Sequence, residues 1–252
     1  MVGPGVNDVP VSPPPDEPPS APAGWVGLPG PRGAREAWRR RTPGESRWPA
    51  AVATAVAIGL QVALPAELNL SSRYLLPGVE AVLLVALVLI NPGRVSRRER
   101  PLRWVGLTLI AVASVANAYS AIRLVLGLVR GTEGGSPGPL LTTGSAIYIT
   151  NIVVFALWYW EFDRGGPAAR AHGLDPYPDL MFPQMATPGM ADKDWEPQFV
   201  DYLYVSFTNA TAFSPTDTMP LTRGAKLAML AQSAVALVTV ALVIARSVNI
   251  LK

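Results

Sequence analysis

Leu227-Ala228-Met229-Leu230-Ala231-Gln232-Ser233-Ala234-Val235-Ala236-Leu237-Val238-Thr239-Val240-Ala241-Leu242-Val243-Ile244-Ala245 carries no charge and only three polar side chains. At about 1.5 Å per residue it makes a helix of roughly 28 Å, close to the ~30 Å hydrocarbon core of a bilayer. Four apolar runs precede it, at 49–65, 75–90, 105–129 and 140–160. Each holds one or two conspicuous polar groups: Gln61, Glu80, Asn117 with Arg123, and Asn151. The rest of the composition agrees. Only 15% of the 252 residues are charged, against roughly 25% in an average soluble domain. Cysteine is absent, which excludes disulfide scaffolds, thiolate metal sites and cysteine nucleophiles.

The basic residues lie between the runs. Arg32, Arg35, Arg39, Arg40, Arg41 and Arg47 precede the first, and Arg94, Arg97, Arg98, Arg100 and Arg103 separate the second from the third. The intervening connections are poor in them, with Arg73 in one and Arg130 at the edge of the other. This alternation places the arginine-rich connections on the cytoplasmic side. It also accounts for the net charge of +3 without nucleic acid as a partner. Residues 1–47, with proline runs such as Ser12-Pro13-Pro14-Pro15, read as a disordered cytoplasmic tail. Residues 48–160 read as a four-helix transmembrane region and 161–196 as an acidic, proline-rich loop. Residues 197–252 read as a pore-loop-like segment followed by the last transmembrane helix.

Residues 198–213 carry aromatics at Phe199, Tyr202, Tyr204, Phe207 and Phe213 and turn rich in Thr, Asn and Ala. Sixteen residues make about 24 Å of helix, short of a full crossing. The segment therefore either crosses as a short span or dips in and returns, and irregular backbone at that depth must be buried or line water. Counting it as an outward crossing leaves both termini cytoplasmic. The expected fold is thus all-α: a polytopic transmembrane bundle of about six segments, the fifth short or re-entrant, in a cell membrane.

Thr208-Asn209-Ala210-Thr211-Ala212-Phe213-Ser214-Pro215-Thr216-Asp217-Thr218-Met219-Pro220-Leu221-Thr222, followed by an apolar helix, resembles the pore loop of potassium-type ion channels. The second half, Asp217-Thr218-Met219-Pro220-Leu221-Thr222, fits their Asp-x-x-Pro-x-Thr pattern. Ala212 to Thr216 stands where those channels carry Gly-Tyr-Gly, so potassium selectivity is not implied. Together with Leu157-Trp158-Tyr159-Trp160-Glu161-Phe162-Asp163-Arg164-Gly165-Gly166-Pro167, the segment is also similar to a family of uncharacterised bacterial multi-span membrane proteins, placing the chain in a bacterial inner membrane.

The resemblance implies a channel- or transporter-like passage for small cations, built by a homo-oligomer in the lipid bilayer. Its pore-lining candidates are Thr208, Asn209, Thr211, Asp217 and Thr218, with Asp217 as a mouth charge. The alternative is a non-conducting structural or partner-binding membrane protein. Charged groups inside a bilayer are rarely accidental. Glu80 and Arg123, at similar depths on antiparallel runs, are expected to pair. No nucleophile elbow, phosphate loop or paired intramembrane Asp or His is present, so neither an enzyme nor a cofactor is expected. Scattered His172, Asp175 and Asp179 give no metal-site spacing.

Overall fold

The computed structural model describes residues 37–250 except 71, 91–92, 95–99, 133–135, 188–189 and 212–216. The described chain is all-α apart from one two-stranded pairing. Five longer helices form a bundle: α1 (Trp48–Ala63), α2 (Leu75–Ile90), α3 (Arg100–Arg130), α4 (Pro137–Phe162) and α8 (Arg223–Ile250). Short helices α5 (Pro167–Ala171) and α6 (Pro183–Ala186) and strand β1 (Leu180–Met181) follow α4. Then come α7 (Phe199–Thr211) and strand β2 (Met219–Pro220), which leads into α8.

Three helical stretches are long and apolar enough to cross a membrane: Pro101–Arg130, Pro137–Gly165 and Arg223–Ile250. The first two apolar runs yield only 16 residues of helix each, about 24 Å. Pro65 and the extended residue Leu64 end α1, and a 3-10 turn at Ala66–Leu68 follows. Against the expected six or so membrane segments, the fifth short or re-entrant, three helices reach spanning length, with two shorter apolar helices beside them.

Helix α4 is the centre of the bundle and packs against α1, α3, α7 and α8. The long helices alternate in direction. At one end, here the arginine end, the start of α1 is tied to the connection after α2: Arg47 N donates to Gly93 O at 2.9 Å and Ser46 bridges Arg94. Trp38, Trp160, Leu180, Phe199 and Tyr202 share one buried cluster there. At the far end, Leu64, Leu68, Leu128, Leu140 and Val243 share another, with Ile250 packed against it. Residues 37–47, expected in the disordered tail, belong to the arginine end: Ala37 and Trp38 are buried.

Helices α2 and α8 bury polar side chains while exposing large apolar ones. On α8 the buried residues include Gln232, Thr239 and Ser247, while Leu227, Leu230, Leu237, Val238, Ile244 and Val248 are exposed. On α2, Glu80 is buried while Val79, Val82, Val85 and Leu89 are exposed. Water would reverse this arrangement. Small residues permit the close contacts. A Cβ on Gly144 of α4 would lie 2.8 Å from Val243 Cγ2 of α8.

The path of α7 corrects the outward crossing. Its first residue, Phe199, stacks edge-on against Trp160 at the end of α4, with centroids 6.0 Å apart. Ser206 reaches Ile152 O at 2.6 Å, so α7 runs back along α4 toward mid-bundle. The chain then returns to where it started. β2 pairs antiparallel with β1, Leu180 opposite Pro220 and Met181 opposite Met219. Leu221 N donates to Asp179 O at 2.8 Å. Helix α7 therefore enters and leaves at the arginine end, and α8 begins there and ends at the far end. The 37–47 segment and Ile250 lie at opposite ends, against the expectation of both termini on one side. The physical reason is length. Thirteen residues make about 20 Å of helix, and the β pairing fixes the return.

Candidate functional site

The base of α7 is held by buried charge. After α4 the chain turns through Arg164 (φ 51°), Gly165 (φ 77°) and Gly166 (φ 95°). Left-handed geometry at Arg164 is uncommon for a residue with a Cβ. The following glycines adopt it freely, and a Cβ on Gly166 would collide with Glu161. The turn folds Asp163 and Arg164 inward, where both are almost fully buried. Asp163 Oδ2 accepts from the Tyr202 hydroxyl at 2.7 Å, and its Oδ1 accepts from Asp179 N at 2.8 Å. One carboxylate thus joins the end of α4, the residue before β1 and α7. Arg164 donates to Trp38 O, and its guanidinium lies 5.4 Å from the Trp38 ring.

Arg170 of α5 makes the second tie. It donates to Glu45 Oε1 at 2.8 Å, Trp160 O at 2.6 Å and Asp163 O at 2.9 Å. It also lies 4.9 Å above the Tyr202 ring, a cation–π distance. Burial lowers its pKa, but Tyr202, Glu45 and Asp163 outweigh this and hold it above the ordinary arginine value. Burial pushes the Glu45 carboxyl up, against the pull of Arg170. Glu45 Oε2 accepts from Phe199 N at 2.9 Å, placing an acceptor at the positive end of the α7 dipole. At the rim, Arg40 pairs with Asp194.

The tip of α7 is held by neutral hydrogen bonds. Gln232 of α8, fully buried, donates to Ser206 O at 2.9 Å and Ser206 Oγ at 2.7 Å. Its Oε1 accepts from the Tyr159 hydroxyl at 2.6 Å and from Asn209 Nδ2 at 2.8 Å. Asn209 also donates to Met229 O at 3.0 Å, and Asn151 Nδ2 lies 3.5 Å from Gln232 O. These side chains join α4, α7 and α8 at the depth where the half-helix ends.

The residues expected from sequence separate accordingly. Asn209 joins the hub. Thr208 and Thr211 return their hydroxyls to their own helix, on Tyr204 O and Phe207 O at 2.9 and 2.8 Å. Asp217 is exposed at the arginine end and Thr218 beside it is buried. Ala212 to Thr216, the filter-like stretch, lies outside the described residues. The expected Glu80–Arg123 pair does not form. Glu80 Oε2 instead accepts from Gln61 Nε2 at 2.9 Å. Arg123 is exposed, 5.9 Å from the Tyr119 ring, because α3 turns Ala121 and Leu124 inward at that level. Equal depth did not imply facing sides.

Glu45, Asp163, Arg164, Arg170 and Tyr202 were not singled out by sequence. Their signal is the Asp163-Arg164-Gly165-Gly166-Pro167 turn directly after an aromatic belt, a place where a solvated loop would not need two glycines in succession. Among the described residues no group of three or more His, Asp or Glu is placed to hold a metal ion. No family profile matches the chain, and no curated protein or solved structure matches it.

Proposed function

We propose that the chain is a multi-pass protein of the cell membrane, with five helices crossing and α7 as a re-entrant half-helix at a passage for small cations. The observation that carries this reading is the return of β2 to β1, which brings both flanks of α7 to one end of the bundle. Three helices of spanning length and inside-out patterning support the membrane location. Crossing by α1 and α2 needs their flanks, since each is slightly shorter than the ~17 residues usual for a span. Arg40, Arg47, Arg94, Arg103, Arg164 and Arg170 cluster at the end where α7 enters, against Arg73, Arg123, Arg130 and Arg246 toward the opposite end, so the balance makes the first end cytoplasmic. Residue 250 then faces outside.

Cations are favoured by the sense of α7. Its N-terminus is at the charged base and its C-terminal carbonyls point into the bundle, where a helix carries about half a negative charge. Half-helices presenting C-terminal ends serve cation sites in transporters. Asp217 supplies an exposed carboxylate at the cytoplasmic end. One chain provides one loop, so a central passage requires several copies. The exposed α7 face of Val200, Tyr204 and Phe207 suits a neighbouring copy.

The second reading, a non-conducting structural protein, rests on a specific observation. The hub around Gln232 is mutually satisfied, and Thr208 and Thr211 bond their own backbone. Liposomes separate the two. Conduction predicts that purified protein passes K+ or Na+ and that Asp217→Asn reduces the flux several-fold. Folded, reconstituted protein that passes neither ion favours the structural reading.

A further inference from the structure

A cavity of about 620 Å³ opens at the arginine end between α1, α2, α3 and α4, away from α7. Its volume falls within the range of small-molecule sites. The cavity is two-sided in chemistry. Its charged lining is Arg47, Arg103, Arg164, Glu161 and Asp175, of which Arg47, Arg103 and Glu161 face one another. Its depth is apolar, lined by Leu87, Ile110 and Leu157 among others. Ile110 lies seven residues after Arg103 on α3, so the apolar part extends about 10 Å below the charged layer.

The mouth brings both signs of charge together. Glu161 is 8% exposed, yet it accepts no hydrogen bond from a described residue. Arg47, Arg103 and Arg170 are its electrostatic neighbours. Arg170 is already committed to Glu45 and to two carbonyls. The Nε of Arg47 is buried and has no partner. A buried unpaired donor such as the Arg47 Nε costs free energy unless a ligand or water satisfies it. Gly106 leaves the carboxylate its space: a Cβ there would sit 3.4 Å from Glu161 Oε1.

We propose that this cavity binds an aminophospholipid from the cytoplasmic leaflet. The phosphate is held by Arg47 and Arg103, the primary ammonium donates to Glu161, and an acyl chain fills the space against Leu87, Ile110 and Leu157. Basic pockets between transmembrane helices on the cytoplasmic side suit lipid headgroups. A purely anionic headgroup would leave Glu161 beside a second anion. A choline headgroup offers no N–H to it. A soluble phosphate would leave the apolar depth unfilled. The proposal rests on the bundle lying in a bilayer and does not depend on conduction.

The test is thermal stability of detergent-solubilised wild-type protein titrated with phosphatidylethanolamine, phosphatidylcholine, phosphatidylglycerol or glycerophosphoethanolamine. Phosphatidylethanolamine is expected to raise the Tm by several degrees at concentrations at least tenfold below those at which the other three act. Glu161→Gln should erase the preference over phosphatidylcholine, and Arg103→Ala should weaken binding at least tenfold. Equal stabilisation by phosphatidylglycerol or phosphatidylcholine overturns the headgroup assignment. Equal stabilisation by glycerophosphoethanolamine overturns the lipid source, and no effect from any overturns the site. The wild-type comparison stands even where a variant fails to fold. Retention of the protein in membranes after alkaline carbonate washing, scored separately, shows whether the membrane reading itself survives.

Discussion

The two halves of the bundle are held together differently. Where α4, α7 and α8 meet, side chains from all three form a closed set of hydrogen bonds around Gln232, and Gly144 lets α4 and α8 approach to contact. Between α1 and α2 the described polar tie is the single bond from Gln61 to Glu80, and Gly59 and Gly78 face open space. The cavity opens on this second side. The tight half positions a half-helix that ends inside the bundle. Its backbone ends need fixed partners at that depth. The looser half leaves room for a ligand.

The largest effect belongs to the charged base of the tight half. Glu45→Ala leaves Arg170 buried without its carboxylate and should cost about 3–5 kcal/mol. Thermal unfolding in detergent reads this loss. Glu45→Ala combined with Arg170→Met should cost less than the sum of the single changes. Additive losses would show that the pair is not coupled.

The hub comes next. Gln232→Leu strands Tyr159, Asn209 and Ser206 together and should cost about 3 kcal/mol, whereas Gln61→Leu removes one bond and should cost about 1 kcal/mol. Equal losses in the same unfolding assay would erase the contrast between halves. Glycines sharpen it further. Gly144→Leu must displace Val243 and should cost about 2 kcal/mol, while Gly59→Ala, with nothing within 4 Å, should gain a few tenths from helix propensity, about 0.5 kcal/mol.

The smallest effect is in pH. Burial holds the folded Glu45 carboxyl above its ordinary value, so the folded chain keeps that proton more tightly than the unfolded one. The contribution is then present at low pH and lost as pH rises through the raised pKa. Wild-type stability relative to Glu45→Gln should therefore fall over the interval that opens at the ordinary Glu value, about pH 4, as pH rises. A rise over that interval would contradict the sign.

Much of the helical frame was legible because hydropathy is a local signal. The runs at 105–129, 140–160 and 227–245 became α3, α4 and α8 with little change. The half-helix was legible as a short segment, but its direction was not. That depends on β1 meeting β2, two residues each and nearly forty positions apart, which no periodicity announces. Glu80 shows the same limit. Its burial followed from being charged in an apolar run, but its partner depended on helix rotation, and Gln61 won over Arg123. Arg170 was hidden because an acidic, proline-rich stretch reads as solvated until its turn folds it under α4, and Glu45 because residues 1–47 read as a disordered tail.

Entry and exit of α7 on one side are directly measurable, because the sequence contains no cysteine. Single cysteines at exposed Lys193, before α7, and exposed Asp217, after it, are labelled with an impermeant thiol reagent in oriented membrane vesicles, with exposed Thr132 marking the far end. Lys193→Cys and Asp217→Cys are expected to label only in inside-out vesicles and Thr132→Cys only in right-side-out ones. Labelling of Asp217→Cys together with Thr132→Cys, and opposite to Lys193→Cys, would mean that the 199–217 segment crosses the membrane and would contradict entry and exit on one side.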